Sequence, residues 1–208
     1  MIQVFLGAQP LTSSTVLDAM HRDRKRIFVD LLKWDVPVID DSFEVDQFDG
    51  DRAIYLVAAD ADGEHRGSIR LLPTTGDHIL GTVFPWLCDG EVPRASTIYE
   101  ISRGCVSPRL KAPERLTIRN ALTTAAAEFA LIHGISSYTC IADSGWLSQI
   151  LSLGWDCRPL GLPQRLGRAR TGALRIAIAP DTPHRLREAG TYVAVPLIFD
   201  ESARKAAA

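Results

Sequence analysis

The chain has 208 residues, is 46% hydrophobic and 23% charged, and carries a formal charge of −2; that length holds one well-buried domain and is short for two. The near balance of charge excludes a general nucleic-acid binder, in which base would dominate, and no apolar run nears the ~20 residues of a membrane span. Four cysteines (Cys88, Cys105, Cys140, Cys157) stand far apart without a CxxC pair, which favours reduced thiols over a zinc site, so no metal is expected. The opening MIQVFLGAQP lacks the basic start and long apolar stretch of a secretion signal, and a cytoplasmic protein is expected.

In chain order, residues 2–6 read as a strand. Thr12, Ser13 and Ser14 then offer hydroxyl caps to a helix. Val16, Leu17, Met20, Ile27, Phe28 and Leu31 recur at helical spacing, which carries that helix to about Lys33. Asp35 to Asp51 has no period and reads as a long loop of the kind that serves as a lid or binding loop. AIYLVAAD (53–60), the turn 61–63 and GSIRLL (67–72) form a hairpin. Residues 73–93 are turn-rich, with an apolar stretch at FPWL (84–87). TIYEISRGCV (97–106) alternates as a strand with Tyr99, Ile101 and Arg103 on one face, Glu100 and Ser102 on the other. Pro113 opens a helix striped by Leu116, Leu122, Ala125, Ala126 and Phe129 and closed by Gly134. A buried strand at 136–142, a short helix capped by Asp143 or Ser144 and running to Leu151, and strands at 173–179 and 191–199 follow. Residues 202–208 are expected to fray. The sum is α/β with a mixed sheet flanked by helices.

Charge is divided along the chain. Ten acids lie between Asp35 and Glu64, against Arg52. Arg103, Arg109, Lys111, Arg115 and Arg119 then face Glu114 alone, and Arg158, Arg165, Arg168, Arg170 and Arg175 form a second basic run. Such a division lets one protein take a cationic and an anionic ligand together, as a two-substrate enzyme does.

Four constellations carry chemistry. Arg24 and Phe28 are four apart on a helix, with Trp34 beyond; a guanidinium beside two rings holds a carboxylate while the rings cover a flat or cationic group. The plainer reading is a core aromatic pair and a surface arginine. Asp46 and Asp49, near Glu44, need a cation or an arginine to offset their repulsion, but the spacing is not that of a calcium loop. Arg70 must be paired if it points inward. Glu100 lies three residues before Arg103 in an apolar strand, where it is either a general base or half of a buried ion pair. Cys105 as a thioester nucleophile lacks a nearby His, and packing is the preferred role.

Together these residues resemble the acyl-homoserine-lactone synthases, the LuxI-type autoinducer synthases. The resemblance spans nearly the whole chain: MHRDRKRIFVDLLKWDVPV (20–38), EVDQFD (44–49), GSIRLLPTTGDHIL (67–80) and EISRGCV (100–106). The family's recurring positions fall on Arg24, Phe28, Trp34, Asp46, Asp49, Arg70, Glu100 and Arg103, in order and at matching spacing.

The resemblance implies a GNAT-like acyltransferase fold with a mixed twisted sheet and an acyl pocket between splayed central strands. It implies a single domain with a mobile S-adenosylmethionine-binding region at 1–52 and a sheet core at 53–200. It also implies a reaction: a fatty acyl group passes from acyl-carrier protein, or from acyl-CoA, to the amine of S-adenosylmethionine, and lactone closure expels methylthioadenosine. S-adenosylmethionine is a substrate, and no cofactor is expected. Glu100 and Arg103 would be catalytic. Arg24, Phe28, Trp34, Ser102 and Ala142 would bind substrate, and Asp46, Asp49 and Arg70 would form an ion-pair network. Lys111, Arg115, Arg119, Arg165 and Arg168 would dock the carrier; neither nucleic acid nor membrane is a partner.

Two departures bear on this. Gly104 stands where relatives often carry an aromatic residue, which leaves space near the site. Ala142 falls near a position where makers of 3-oxo chains often carry threonine, which favours an unsubstituted chain. The alternatives are a GNAT-like N-acyltransferase using acyl-CoA and another amine, or a non-catalytic sensor.

Overall fold

The computed structural model describes residues 1–7, 10–11, 13–167 and 169–200. Thr12, Arg168 and the expected frayed tail at 202–208 lie outside the described residues. In chain order the elements are β1 (Ile2–Leu6), α1 (Thr15–Arg24) continued by a π-helical segment (Lys25–Leu31), β2 (Val38–Ile39), β3 (Phe43–Glu44), β4 (Ile54–Ala59) and β5 (His65–Pro73). After these come α2 (Ile79–Thr82), a 3-10 turn (Pro85–Leu87), β6 (Ile98–Val106), α3 (Ala112–His133), β7 (Ser137–Asp143) and α4 (Ser144–Leu151). The chain closes with β8 (Asp156–Pro159), β9 (Gln164–Leu166), β10 (Ala169–Ala177), α5 (Thr182–Glu188) and β11 (Leu197–Phe199).

The chain divides into two compact units. The first comprises Met1–Arg70, Arg103–Leu122 and the chain from Val195; the second comprises Leu71–Ser102 and Thr123–Ala194. In the first, β1 pairs antiparallel with β4, from Ile2 opposite Ala58 to Leu6 opposite Ile54, and parallel with β11. Ser14 caps α1 by accepting from the Leu17 amide at 3.3 Å, which satisfies one of the orphan donors of the first turn. The expected helix to Lys33 is present, but its last turns widen: the Leu32 amide reaches the Ile27 carbonyl and the Trp34 amide the Phe28 carbonyl. Such π turns are rare and shift the side chains that follow them. The acidic stretch is not all loop. A small hairpin, β2 with β3, sits inside it, turned by Asp40 and Asp41 at φ 50°; short polar side chains are the ones that tolerate that conformation.

In the second unit β6 runs parallel to β7, β7 antiparallel to β10, and β10 antiparallel to β8 and β9. Tyr138 on β7 donates its hydroxyl proton to the Ala126 carbonyl of α3 at 2.9 Å, and Ala125, Ala126, Phe129 and Ala130 are fully buried. Pro113 is the second residue of α3, and Asp143 caps α4 by accepting from the Trp146 amide. β8, β9 and α5 are elements the sequence reading does not include, and two expectations need correction. β10 starts at Ala169 and not at 173: Thr171 and Gly172 already pair with β7, and Ala169 and Arg170 extend the strand by pairing with the short β9. Of 191–199 only Leu197–Phe199 is strand; Tyr192 and Val193 instead make side-chain and amide bonds to Glu128 and Thr124 of α3.

Candidate active site

Six charged side chains of the first unit close on one another. α1 contributes Arg24, whose Nε donates to Glu44 Oε2 at 2.5 Å while Nη1 and Nη2 grip both oxygens of Asp49 at 2.8 Å each. β5 contributes Arg70, with Nη1 at 2.6 Å from Asp46 Oδ1 and 2.8 Å from Asp49 Oδ1. β6 contributes Arg103, whose Nε and Nη2 reach Glu44 Oε1 at 3.0 and 2.9 Å, with Nη2 2.6 Å from Asp46 Oδ2. Tyr55 on β4 adds its hydroxyl to Asp49 Oδ1 at 2.9 Å. Three guanidiniums thus balance three carboxylates, which is the condition for burying charge without a large penalty. The carboxylates face arginines and not a vacant centre, and among the described residues no cluster of His, Cys, Asp and Glu is arranged to hold a metal.

Burial and charge work against each other here. Desolvation opposes the charged form of Asp49, but Arg24 and Arg70 win and hold its carboxyl far below the usual range. Arg24 is likewise raised by Asp49 and Glu44 in spite of burial, and the Tyr55 hydroxyl is pushed up by burial and by Asp49. Asp49, Arg24 and Arg70 therefore keep their charges across the ordinary pH range.

Arg24 and Arg70 are each 1% exposed, whereas the Arg103 side chain is 10% exposed. Arg103 also lies over the rings of Phe28 and Trp34, 5.5 and 5.9 Å from their centroids, and those rings stack at 4.8 Å and 18°. Phe28 is buried and Trp34 is 45% exposed, so the platform has one anchored and one open member. The strand does not keep the alternation expected of it. Arg103 has φ 50°, a left-handed conformation that costs on the order of 1–2 kcal/mol outside glycine, and its hydrogen bonds to Glu44 offset that cost. This turn in the backbone aims Arg103 into the ring. Gly104 next to it is exposed, and a Cβ there would meet only Ile69 at 3.7 Å, an ordinary contact, so the first carbon of a side chain would fit.

In the second unit Glu100 is 1% exposed. Its two oxygens accept from the amides of Ile79 and Leu80, at 2.8 and 2.6 Å, so the start of α2 is built around this carboxylate. Thr139 pairs with Glu100 across β6 and β7. Thr139 Oγ1 and His78 Nε2, the latter on the residue before Ile79, are buried atoms without a hydrogen-bond partner among the described residues. Sequence reading missed both, since nothing in their spacing marks them. Ser102 is partly buried one residue beyond the end of the β6–β7 pairing at Ile101. Ala142 is partly buried on β7, opposite Gly172 of β10.

The structure brings Arg24, Phe28, Trp34, Asp46, Asp49, Arg70 and Arg103 together and adds Glu44 and Tyr55. Glu44 was visible as part of the acidic run; Tyr55 carried no signal beyond strand period. Of the basic residues expected to dock a carrier, Lys111 and Arg115 are exposed at the start of α3 beside Leu116, which is 50% exposed, and Arg119 is turned onto Asn120. Arg165 is exposed in the second unit, donating to the Gly167 carbonyl, and Arg168 lies outside the described residues.

The family model of autoinducer synthases matches residues 8–185, and the chain belongs to that family. An acyl-homoserine-lactone synthase of Agrobacterium fabrum is 32% identical over 201 residues, 92% of either chain. One from Ralstonia nicotianae is 40% identical over 104 residues, so the match spans about half the length of that relative (51%) and 49% of this chain. Among solved structures, a CoA-dependent acyl-homoserine lactone synthase, BjaI, with S-adenosylmethionine and isopentyl-CoA, matches with a TM-score of 0.84 and 27% identity over 100% of this chain and 98% of that one. A putative N-acetyltransferase from Lactobacillus plantarum, 17% identical with a TM-score of 0.55 over 86% of this chain and 99% of that one, shares the fold alone and makes it GNAT-like. The protein is accordingly an acyltransferase of the acyl-homoserine-lactone synthase class. Among the described residues no helix is long and apolar enough to cross a membrane.

Proposed function

We propose that this chain moves a fatty acyl group from a pantetheine thioester, on acyl-carrier protein or coenzyme A, to the amine of S-adenosylmethionine and then closes the lactone. The products are a homoserine lactone signal, methylthioadenosine and the free thiol carrier. The observation that carries this reading is Arg103. It is the most exposed cation of an otherwise buried, self-neutralised ring, and it rests on the Phe28–Trp34 stack. A guanidinium in that setting suits the substrate's carboxylate, and the open Trp34 face suits its sulfonium and adenine. Arg24 has all three of its donor nitrogens on Glu44 and Asp49, so its role is to hold the lid segment and not to take the carboxylate.

Glu100, directly or through water, receives the proton that the amine loses as the carbonyl carbon is attacked. The amides of Ile79 and Leu80 hold that carboxylate in place. Support for a carrier protein comes from Lys111 and Arg115 around exposed Leu116, a basic rim on an apolar centre that suits an acidic partner; support for coenzyme A comes from the structural likeness to BjaI.

The test offers hexanoyl- to dodecanoyl- and isopentyl-thioesters of both carriers with S-adenosylmethionine and follows methylthioadenosine. Its release with a matching lactone supports the reading and names the carrier. Acylation of some other amine without methylthioadenosine points to the simpler N-acyltransferase. No methylthioadenosine with any donor overturns the proposal.

A further inference from the structure

A second polar knot lies on the elements that carry the ring. Asp23 precedes Arg24 on α1, and its Oδ2 is 2.9 Å from Nδ1 of His65, the first residue of β5. Its Oδ1 accepts from Arg26 at 3.0 Å and Arg109 at 2.7 Å. Nε2 of His65 is 3.0 Å from Ser68 Oγ, which lies 3.6 Å from the Cys105 thiol of β6. Asp23 and His65 are wholly buried, Ser68 and Cys105 nearly so. Nothing in the proposed reaction uses these groups.

Their placement does have a use. α1 gives Arg24 to the ring and Asp23 to the knot. β5 gives Arg70 to the ring and His65 with Ser68 to the knot, and β6 gives Arg103 and Cys105 in the same way. The strands are held along their length by the sheet, so it is α1 that the knot fixes at a second point beside the ring and restrains from pivoting. Guanidinium–carboxylate contacts of 2.5 to 3.1 Å tolerate little such pivoting, because charge-assisted bonds depend steeply on distance and alignment.

We propose that His65 is a positioning residue for the arginine ring, acting through the Asp23–His65–Ser68–Cys105 chain that ties α1, β5 and β6 together a second time. The inference rests on reading the ring as the S-adenosylmethionine side of the site. The titration of the knot fits this role. Burial alone would lower the imidazole, but the hydrogen bond and charge of Asp23, with Cys105, raise it to about 9. Asp23, whose burial acts the other way, is held at about 2 by His65, Ser107 and Arg109. The groups facing the imidazole are Asp23 from α1, Ser68 from β5, Cys105 from β6 and Arg109 after it, with Glu64 pairing Arg109 from the hairpin turn. At neutral pH the knot is an imidazolium–carboxylate pair. A raised folded-state value means its contribution is complete below the ordinary 6.5 and is lost as pH rises through about 9.

The experiment measures kcat and KM for S-adenosylmethionine on the full chain, from about pH 7 to about pH 10, for wild type, His65→Gln and Ser68→Ala. Glutamine keeps hydrogen-bonding capacity without charge. At neutral pH His65→Gln is expected to raise KM about tenfold with kcat little changed, the pattern of lost uniform binding. The ratio of variant to wild-type KM then falls towards one above pH 9, where the wild-type imidazole has lost its proton; taking the ratio removes the titration of the substrate's own amine. Ser68→Ala is expected to give a smaller rise with the wild-type pH dependence. A ratio of one at neutral pH, or a ratio that stays constant with pH, overturns the proposal. If His65→Gln does not fold, an unchanged KM in Ser68→Ala overturns it instead. Arg103→Ala in parallel separates the two readings: normal KM and turnover there sinks the assignment of the ring and the positioning role with it. Loss of turnover in Arg103→Ala beside wild-type behaviour of the other two variants sinks only the positioning role.

Discussion

Glu44, Asp46 and Asp49 on one side and Glu100 on the other are buried carboxylates handled in two ways. The first three sit in the first unit and are matched one for one by arginines. Glu100, in the second unit, is met by the neutral amides of Ile79 and Leu80. A carboxylate tied to a guanidinium is fixed in its charge and its place, and suits a frame. A carboxylate held by amide N–H groups is positioned by the backbone at the start of a helix, which fixes its place for the general-base role proposed for it. Residue type is the same in both; the partners make the difference.

The sharpest way to break this comparison is Arg70→Ala. It leaves Asp46 to Arg103 and Asp49 to Arg24, with one cation too few in the interior; removing one partner of a buried ion pair costs ~3–5 kcal/mol, and urea melts should show a loss of that order. If the variant melts like wild type, the ring is not the frame it is taken to be. Next in size is Glu100→Gln, which should stay folded and lose turnover by ~100-fold or more, the range for removal of a general base. Methylthioadenosine release near wild-type level would make Glu100 only the anchor of α2.

Acid tests the buried ion pairs of the first unit as well. Asp23 and Asp49 both have lowered folded-state values, so their stabilisation is present above their ordinary value of 3.8 and is lost as pH falls through about 2 for Asp23 and lower still for Asp49. Circular dichroism during acid titration should show the fold surviving pH 4 and failing below it; failure well above pH 4 would mean that the buried pairs are not formed. The smallest effect is expected of Tyr55→Phe, which removes one hydrogen bond to Asp49 and should cost about 1 kcal/mol in the same melts, with KM for S-adenosylmethionine nearly unchanged. A large change in KM would move Tyr55 from frame to binding surface.

Much of the local structure was legible because period and capping are local. The hairpin 53–72, the cap at Ser14, the Asp143 cap and the long helix ending at Gly134 follow from spacing and from the few residues that suit those positions. β8, β9 and α5 were not legible: three or four residues of strand carry no period, and their pairing with β10 is decided by tertiary contact. The same holds for the small hairpin inside the acidic stretch. In β6, alternation predicted the faces up to Ile101, and the left-handed φ of Arg103 then overrode it.

Sequence by itself determined the cast: which charged residues the chain owns, in what order, and through them its kinship with the autoinducer synthases. It also determined that any buried arginine among them must find a carboxylate, because an unpaired charge in the interior is too costly to keep. Only the tertiary structure decided the pairing. Arg24 with Glu44 and Asp49, and Arg103 with Glu44, join residues 20, 25 and 59 positions apart; hydrogen bonds act over about 3 Å, and spacing along the chain carries no information about which atoms fold to within that reach.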